Sequence, residues 1–385
     1  MHKRITSIDF TRGLVMIIMA LDHTRDLMHT TALTQNPTDV TTTTPLLFFT
    51  RWVTHFCAPT FVFLAGISAY IAFSRKKDLK ASRNFLITRG LWLVVVEFTI
   101  VNFSIWFDPY YREVIFEVIG AIGLSMVILG LLLKLPAKTI GIIGLVIIFL
   151  HDAFVYLPLT GTTKTILSDL FLPGAFPLTS KSLFIIGYPL IPWLGILLAG
   201  FGFGTAFNLP EEKRKPLLLK TGIAALVLFV IIRWVNIYGD TTPWAVQPKS
   251  LFTFLSFINI TKYPPTLCFT LLTLSFTCIV LAVSDGVKNR LVSIVTVYGK
   301  VPLAYFIVHF LVLHCIMLVM MLMQGYHWAD LNFQMQHGRP NGPSGVELGG
   351  IYVVWITVVI ALYPLCKLYG KYKAKHPEKK WLSYL

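Results

Sequence analysis

Arg12 and His23 stand eleven positions apart, and eleven steps of an α-helix end only about 20° from their starting direction. On a helix, Asp9, Arg12, Met16, Met19, His23 and Asp26 therefore share one face, with the guanidinium roughly 16 Å from the imidazole along the axis. A lone histidine on an apolar face is ordinarily a satisfied core residue. This one has Asp22 beside it and Asp26 one turn on. A neutral histidine whose second ring nitrogen is held by a carboxylate works as a general base. An arginine on the same stripe suits an anionic substrate group such as a phosphate.

A second cluster follows at Arg51-Trp52-Val53-Thr54-His55-Phe56-Cys57-Ala58-Pro59. Arg51 and His55 are four apart and become neighbours on one helix face. Pro59 removes a backbone hydrogen bond and frees a carbonyl near them. Gly66 and Ser68 allow close approach by another helix or a ligand. The plain alternative for this segment is a kink used only for helix packing.

The elements that position these residues must be membrane helices. Of 385 residues, 55% are hydrophobic and 13% charged, where a soluble domain carries about 25% charged residues. The mean hydropathy is +0.71. Ten apolar runs, at about 7–28, 46–74, 86–107, 114–133, 138–157, 182–207, 217–237, 263–284, 296–324 and 346–369, are long enough to cross lipid. Backbone groups in lipid must be satisfied within the segment, so all ten are predicted helical. The expected fold is a single all-α, polytopic membrane bundle covering residues 1–385.

Loop charges orient the bundle. One side, with both terminal segments, holds 22 Lys and Arg, including Arg75, Lys76, Lys77, Lys80, Arg83 and Arg89; the other holds six, Arg112, Lys164, Lys181, Lys249, Lys262 and Arg339. By the positive-inside rule both termini are expected in the cytoplasm. This distribution also explains the net charge of +15 without nucleic acid. Lys3 and Arg4 precede an apolar run, but Arg12, Asp22 and His23 interrupt it, so no cleavable signal is expected. The five cysteines lie in apolar runs without metal-ligand spacing, and no metal is expected. The opposite connections at 29–45, 158–181, 238–262 and 325–345 are long, and such loops commonly cover or build a site. The apolar stretch Leu251–Ile260 is too short to span and is expected to lie re-entrant or along the interface.

Five cations fall inside or at the edge of spans: Arg12, Arg25, Arg51, Arg233 and Lys300. Buried charge in lipid costs about 2.5–3.5 kcal/mol, which makes each a functional candidate; snorkelling to the headgroups is the alternative for Arg25, Arg233 and Lys300. Glu97, Glu117, His151, Asp152, Asn236, His309 and His314 read first as hydrogen-bonding partners between helices. Gly-Phe-Gly-Phe-Gly at 200–204 follows no strand, so it reads as helix packing and not as a nucleotide loop.

Arg4-Ile5-Thr6-Ser7-Ile8-Asp9-Phe10-Thr11-Arg12-Gly13-Leu14, with Met19-Ala20-Leu21-Asp22-His23, resembles the opening of the heparan-alpha-glucosaminide N-acetyltransferase-like family of the transmembrane acyltransferase superfamily. His55-Phe56-Cys57-Ala58-Pro59-Thr60-Phe61 is similar to the second-helix motif of its bacterial branch. Tyr188-Pro189-Leu190-Ile191-Pro192-Trp193-Leu194-Gly195 and Tyr298-Gly299-Lys300-Val301-Pro302 extend the resemblance over most of the chain. The Arg12–His23 spacing also matches related bacterial enzymes that acetylate polysaccharides. The resemblance implies transfer of an acyl group, an acetyl above all, from cytoplasmic acyl-CoA to a hydroxyl or amine of a sugar or glycan-like acceptor at the outer face of a bacterial inner membrane. It maps His23 onto a catalytic histidine and Arg12 onto the motif arginine. Asp22 and His55 complete the expected catalytic set, and Arg12, Arg51, Arg75, Lys76 and Arg89 the expected CoA-binding set. Asp22-His23-Thr24-Arg25 stands where the lysosomal enzyme carries an Asn-Tyr-Gly-rich segment, so a glucosamine-type acceptor does not carry over. A multi-spanning transporter or exporter is the competing reading, and inverted repeats with broken helices would be its signature.

Overall fold

The computed structural model describes residues 5–76, 78–157, 160, 167–379 and 382. Lys3, Arg4, Lys77, Lys164 and Lys380 of the charge pattern, and most of the 158–166 segment, lie outside the described residues.

Helices dominate. In chain order they are α1 (Thr6–Met28), α2 (Pro45–Lys76), α3 (Leu79–Trp106), α4 (Val118–Leu132), α5 (Ala137–Tyr156), α6 (Leu190–Asn208), α7 (Glu211–Val235), α8 (Ser250–Ile258), α9 (Leu267–Ser284), α10 (Arg290–Gly299), α11 (Pro302–Met323) and α12 (Leu348–Lys375). Among the described residues, eight of these (α2, α3, α5, α6, α7, α9, α11 and α12) are long and apolar enough to cross a membrane. At 23 residues α1 has the length, but Asp9, Arg12, Asp22, Arg25 and Asp26 interrupt its apolar character. With 15 residues α4 reaches only about 22 Å, short of the ~30 Å hydrocarbon core. Each of the ten expected spans thus falls on a helix, and the chain is a polytopic helical membrane protein.

The differences lie at span ends. The spans expected at 114–133 and 182–207 both open in strand. β1 (Glu113–Phe116) pairs in parallel with β3 (Ser182–Ile186), which pairs antiparallel with β2 (Gly174–Thr179). Val114-Ile115-Phe116 and Leu183-Phe184-Ile185 are β-branched and aromatic runs that fit a pleated surface, so ladder bonds replace helical ones at that end. The run at 296–324 divides because Pro302 cannot donate a backbone hydrogen bond; α10 ends at Gly299 and Pro302 opens α11. The short apolar stretch forms α8, nine residues and too short to span. A small ladder pairs β4 (Leu331–Asn332) with β5 (Arg339–Pro340). At its turn and in β5, the 325–345 connection is fastened over the ends of α1 and α3 by Arg339 to the His29 carbonyl, 2.8 Å, and His337 to the Ile105 carbonyl, 3.1 Å.

Glycines set the closest helix contacts. A Cβ on Gly66 would overlap the Leu197 carbonyl, and one on Gly200 the Phe63 carbonyl, so α2 and α6 touch backbone to backbone. The glycine run at 200–204 is therefore a packing surface. Gly299 meets the Asp9 carbonyl and Gly13 the Val295 carbonyl in the same way, which locks α10 against α1. Gly299→Ala is expected to destabilise the fold by about 1–3 kcal/mol through overpacking. A thermal melt followed by size-exclusion chromatography reads this directly, and an unchanged midpoint would show that α1 and α10 need no such approach.

Candidate active site

The stripe on α1 forms as its periodicity dictates, but its members face different neighbours. Arg12 binds across three elements: its guanidinium donates to the Gly299 carbonyl at 3.2 Å, to Ser68 Oγ at 3.0 Å and to Asp9 Oδ1 at 3.4 Å. It caps the carbonyl end of α10, where a cation is favoured by the helix dipole. The same side chain lines a cavity of about 510 Å³ enclosed by α1, α2, α3, α4, α11 and α12.

Five cations border that cavity: Arg12, Arg75, Arg89, Lys300 and Lys373. The remaining wall is largely apolar, including Met16, Phe61, Phe85, Ile122 and Phe306. The geometry follows from chain direction. α1, α3 and α11 begin at the end of the bundle that bears the basic connections, and α2 and α12 finish there. Arg75, Arg89 and Arg12, three of the expected CoA ligands, thus meet at one mouth. Lys76 does not line the cavity; its ammonium lies 4.8 Å over the Phe85 ring. Arg51 lies at the other end of the bundle. Lys300 and Lys373, the latter read in sequence only as a topology signal, complete the ring. Met16 lines the wall, while Met19 is buried without lining it.

His23 stands two turns beyond Met16 on the same face. Its Nδ1 lies 2.7 Å from His309 Nε2, and the ring stacks on Phe310 with centroids 4.0 Å apart. His309 Nδ1 in turn lies 2.9 Å from the Tyr305 carbonyl. A carbonyl only accepts, so His309 carries its proton on Nδ1 and, as a neutral ring, offers Nε2 as an acceptor. The hydrogen between the rings then belongs to His23 Nδ1, leaving the lone pair of His23 on Nε2. Among the described residues nothing hydrogen-bonds that nitrogen, and His23 keeps part of its surface accessible. Phe306, which lines the cavity, stands edge-on to His23 at 6.1 Å.

The sequence expectation that Asp22 orients His23 is corrected here. Consecutive helical residues point about 100° apart, so Asp22 turns away. It pairs with Arg25 at 3.1 Å and with Arg51 at 3.4 Å, and Arg25 also pairs with Asp26. The orienting partner is His309, from α11, whose role no spacing within the first two spans could reveal. Arg25 and Arg233, for which snorkelling was the alternative, are 3% and 2% exposed and hydrogen-bonded inside the protein. Arg51 also donates to Thr54 Oγ1 at 2.8 Å.

His55 sits in a 3-10 turn, Val53–Phe56, immediately before the helical turn that holds Pro59; the missing N–H of Pro59 admits the tighter winding. Its Nδ1 lies 3.0 Å from the Trp52 carbonyl and its ring abuts Phe269. It is not hydrogen-bonded to His23. Glu97 and Asp152 act as structural acceptors. Glu97, in a π-helical turn of α3, takes backbone N–H groups at the start of α4, that of Gly120 at 3.2 Å. Asp152 takes the Leu267 N–H at 2.8 Å. Among the described residues, no cluster of His, Cys, Asp and Glu that could hold a metal ion occurs.

Residues 4–238 match the sequence family described as heparan-alpha-glucosaminide N-acetyltransferase, catalytic. No curated protein matches the chain. The matched segment contains Arg12, His23, Arg75 and Arg89; Lys300, His309 and Lys373 lie beyond it.

Proposed function

We propose, from the premise that the chain belongs to the heparan-alpha-glucosaminide N-acetyltransferase catalytic family, that this acetyltransferase-type membrane enzyme takes its acyl group from cytoplasmic acyl-CoA. The acceptor is a hydroxyl or amine of a glycan-like molecule at the outer face, and the setting is a bacterial inner membrane. The observation that carries this reading is the cation-rimmed cavity whose apolar wall includes Phe306, which stands edge-on to the His23 ring at 6.1 Å.

The chemistry follows from the groups present. Arg75, Arg89, Lys300 and Lys373 suit the phosphates of acyl-CoA through charge-assisted hydrogen bonds. The apolar wall suits the acyl-bearing arm and keeps water from the thioester. His23 Nε2 takes the proton of the acceptor as the acceptor's lone pair attacks the thioester carbonyl. The C–S bond breaks, and the proton held on His23 passes to the departing thiolate. The hydrogen bond from His23 Nδ1 to His309 keeps the lone pair on the working nitrogen and supports the positive charge that forms on the imidazole.

Direction separates this reading from a carrier. The protein is reconstituted in sealed vesicles of known orientation, with labelled acetyl-CoA at the basic face and acceptor confined to the other side. Label is expected on the acceptor while CoA stays where it was added. Passage of intact CoA or acceptor without covalent transfer would promote the transporter.

A further inference from the structure

The connection between α8 and α9 is held more firmly than a span linker requires. Arg233 donates to the carbonyls of Phe257 at 2.9 Å, Ser256 at 3.1 Å and Asn259 at 2.7 Å. Asp240 accepts from the Thr261 N–H at 3.1 Å and its hydroxyl at 2.7 Å. On the far side His151 Nε2 lies 2.8 Å from the Pro265 carbonyl. These bonds fix the backbone on both sides of Lys262, and none uses the Lys262 side chain.

Lys262 as a residue is 9% exposed. Its ammonium lies 4.8 Å from the Tyr263 ring centroid and 5.9 Å from that of Tyr188. Among the described residues none accepts a hydrogen bond from it and no carboxylate pairs with it. Asp22 and Asp26 are already matched by Arg25 and Arg51. The segment that carries Lys262 packs on the turn beside the proposed base: Trp52 Nε1 donates to the Ile258 carbonyl at 2.9 Å, the His55 ring abuts Phe269, and Arg51 of the same turn pairs with Asp22, the neighbour of His23. A mostly buried ammonium held only by aromatic faces keeps its three donors for an incoming group.

We propose that Lys262 is the recognition cation of the acceptor side, binding an oxyanionic substituent, carboxylate or phosphate, of the molecule that receives the acyl group. The aromatic faces of Tyr188 and Tyr263 hold the ammonium in place, and the acceptor's anion supplies the acceptor atoms the protein withholds. The assignment rests on the acyl-transfer reading, because it takes the space beside His23 to be the acceptor's.

The test is isothermal titration of the full-length protein in lipid nanodiscs, with CoA present, using glucose, glucuronate and glucose 6-phosphate as probes. At least one anionic sugar is expected to bind about tenfold or more tightly than glucose, the gain of a charge-assisted contact. Preference for glucuronate assigns a carboxylate, and preference for glucose 6-phosphate a phosphate. Lys262→Met should erase the preference and Lys262→Arg retain part of it, with CoA affinity unchanged in both as the check on folding. The proposal is overturned if wild type binds neither anion more tightly than glucose, or if the preference survives Lys262→Met. Failure of the acyl-transfer reading would register separately, as wild type that does not bind CoA or move its acyl group.

Discussion

His23→Ala is expected to lower acyl transfer by about two to four orders of magnitude, the usual contribution of a positioned general base, with CoA affinity and expression intact. His23 sits beyond the cavity's cationic mouth and touches no loop that orients the bundle, so its loss should fall on turnover. His309→Ala should fall in the same direction by a smaller factor, since it removes no reacting atom but frees the imidazole to rotate and change tautomer. His309→Gln provides the discriminating arm: an amide oxygen can accept from His23 Nδ1, so partial recovery of kcat with unchanged KM for acetyl-CoA marks a positioning role. Near-wild-type turnover in His23→Ala would remove it as the base and bring His55 forward.

Neutralising Arg89, Lys300 and Lys373 together with glutamine is expected to raise the Kd for CoA roughly a hundredfold or more, at about 1 kcal/mol or more for each charge-assisted contact. The wild-type affinity should fall with added salt and the variant's much less, because the lost term is electrostatic. Lys76→Gln serves as the control. It belongs to the same basic connection but stands outside the cavity wall, over the Phe85 ring. A Lys76→Gln effect equal to that of the triple variant would mean that the basic end acts as a diffuse field and the cavity is not the CoA site.

The architecture was legible because lipid leaves few options. Runs of about 20 apolar residues must be helices, and all ten found one. What eluded the sequence were places where a local rule yields to a neighbour far away in the chain. The strand at 113–116 exists because it pairs with 182–186, which in turn pairs with 174–179. Residues 296–299 read as the start of a span until Pro302 divides it from α11. Within the site, helix periodicity correctly placed Arg12, Met16 and His23 on one face. Proximity in sequence misled for Asp22, which is next to His23 along the chain but points at Arg51. His309 was one of several equivalent polar residues inside spans, and only the crossing of α11 over α1 singles it out. Lys300 stood out already as a cation at a span edge, whereas Lys373 was hidden by a different cause: a cation that orients a span and a cation that lines a cavity look identical in a loop count.

The cavity has a consequence for how the protein is made. Its walls run from Ile5 to Lys373, so α1 is closed in by helices made long after it. α10 packs on α1 more than 250 residues downstream, and at roughly 5–20 residues per second that interval is on the order of tens of seconds. Through this period Arg12 lacks the Gly299 carbonyl and His23 lacks His309, leaving an unfinished polar stripe on α1 as it enters the membrane. That stripe is completed only when α10 and α11 arrive. Biogenesis is therefore the stage at which substitutions in α10, α11 or α12 bear on the first helix.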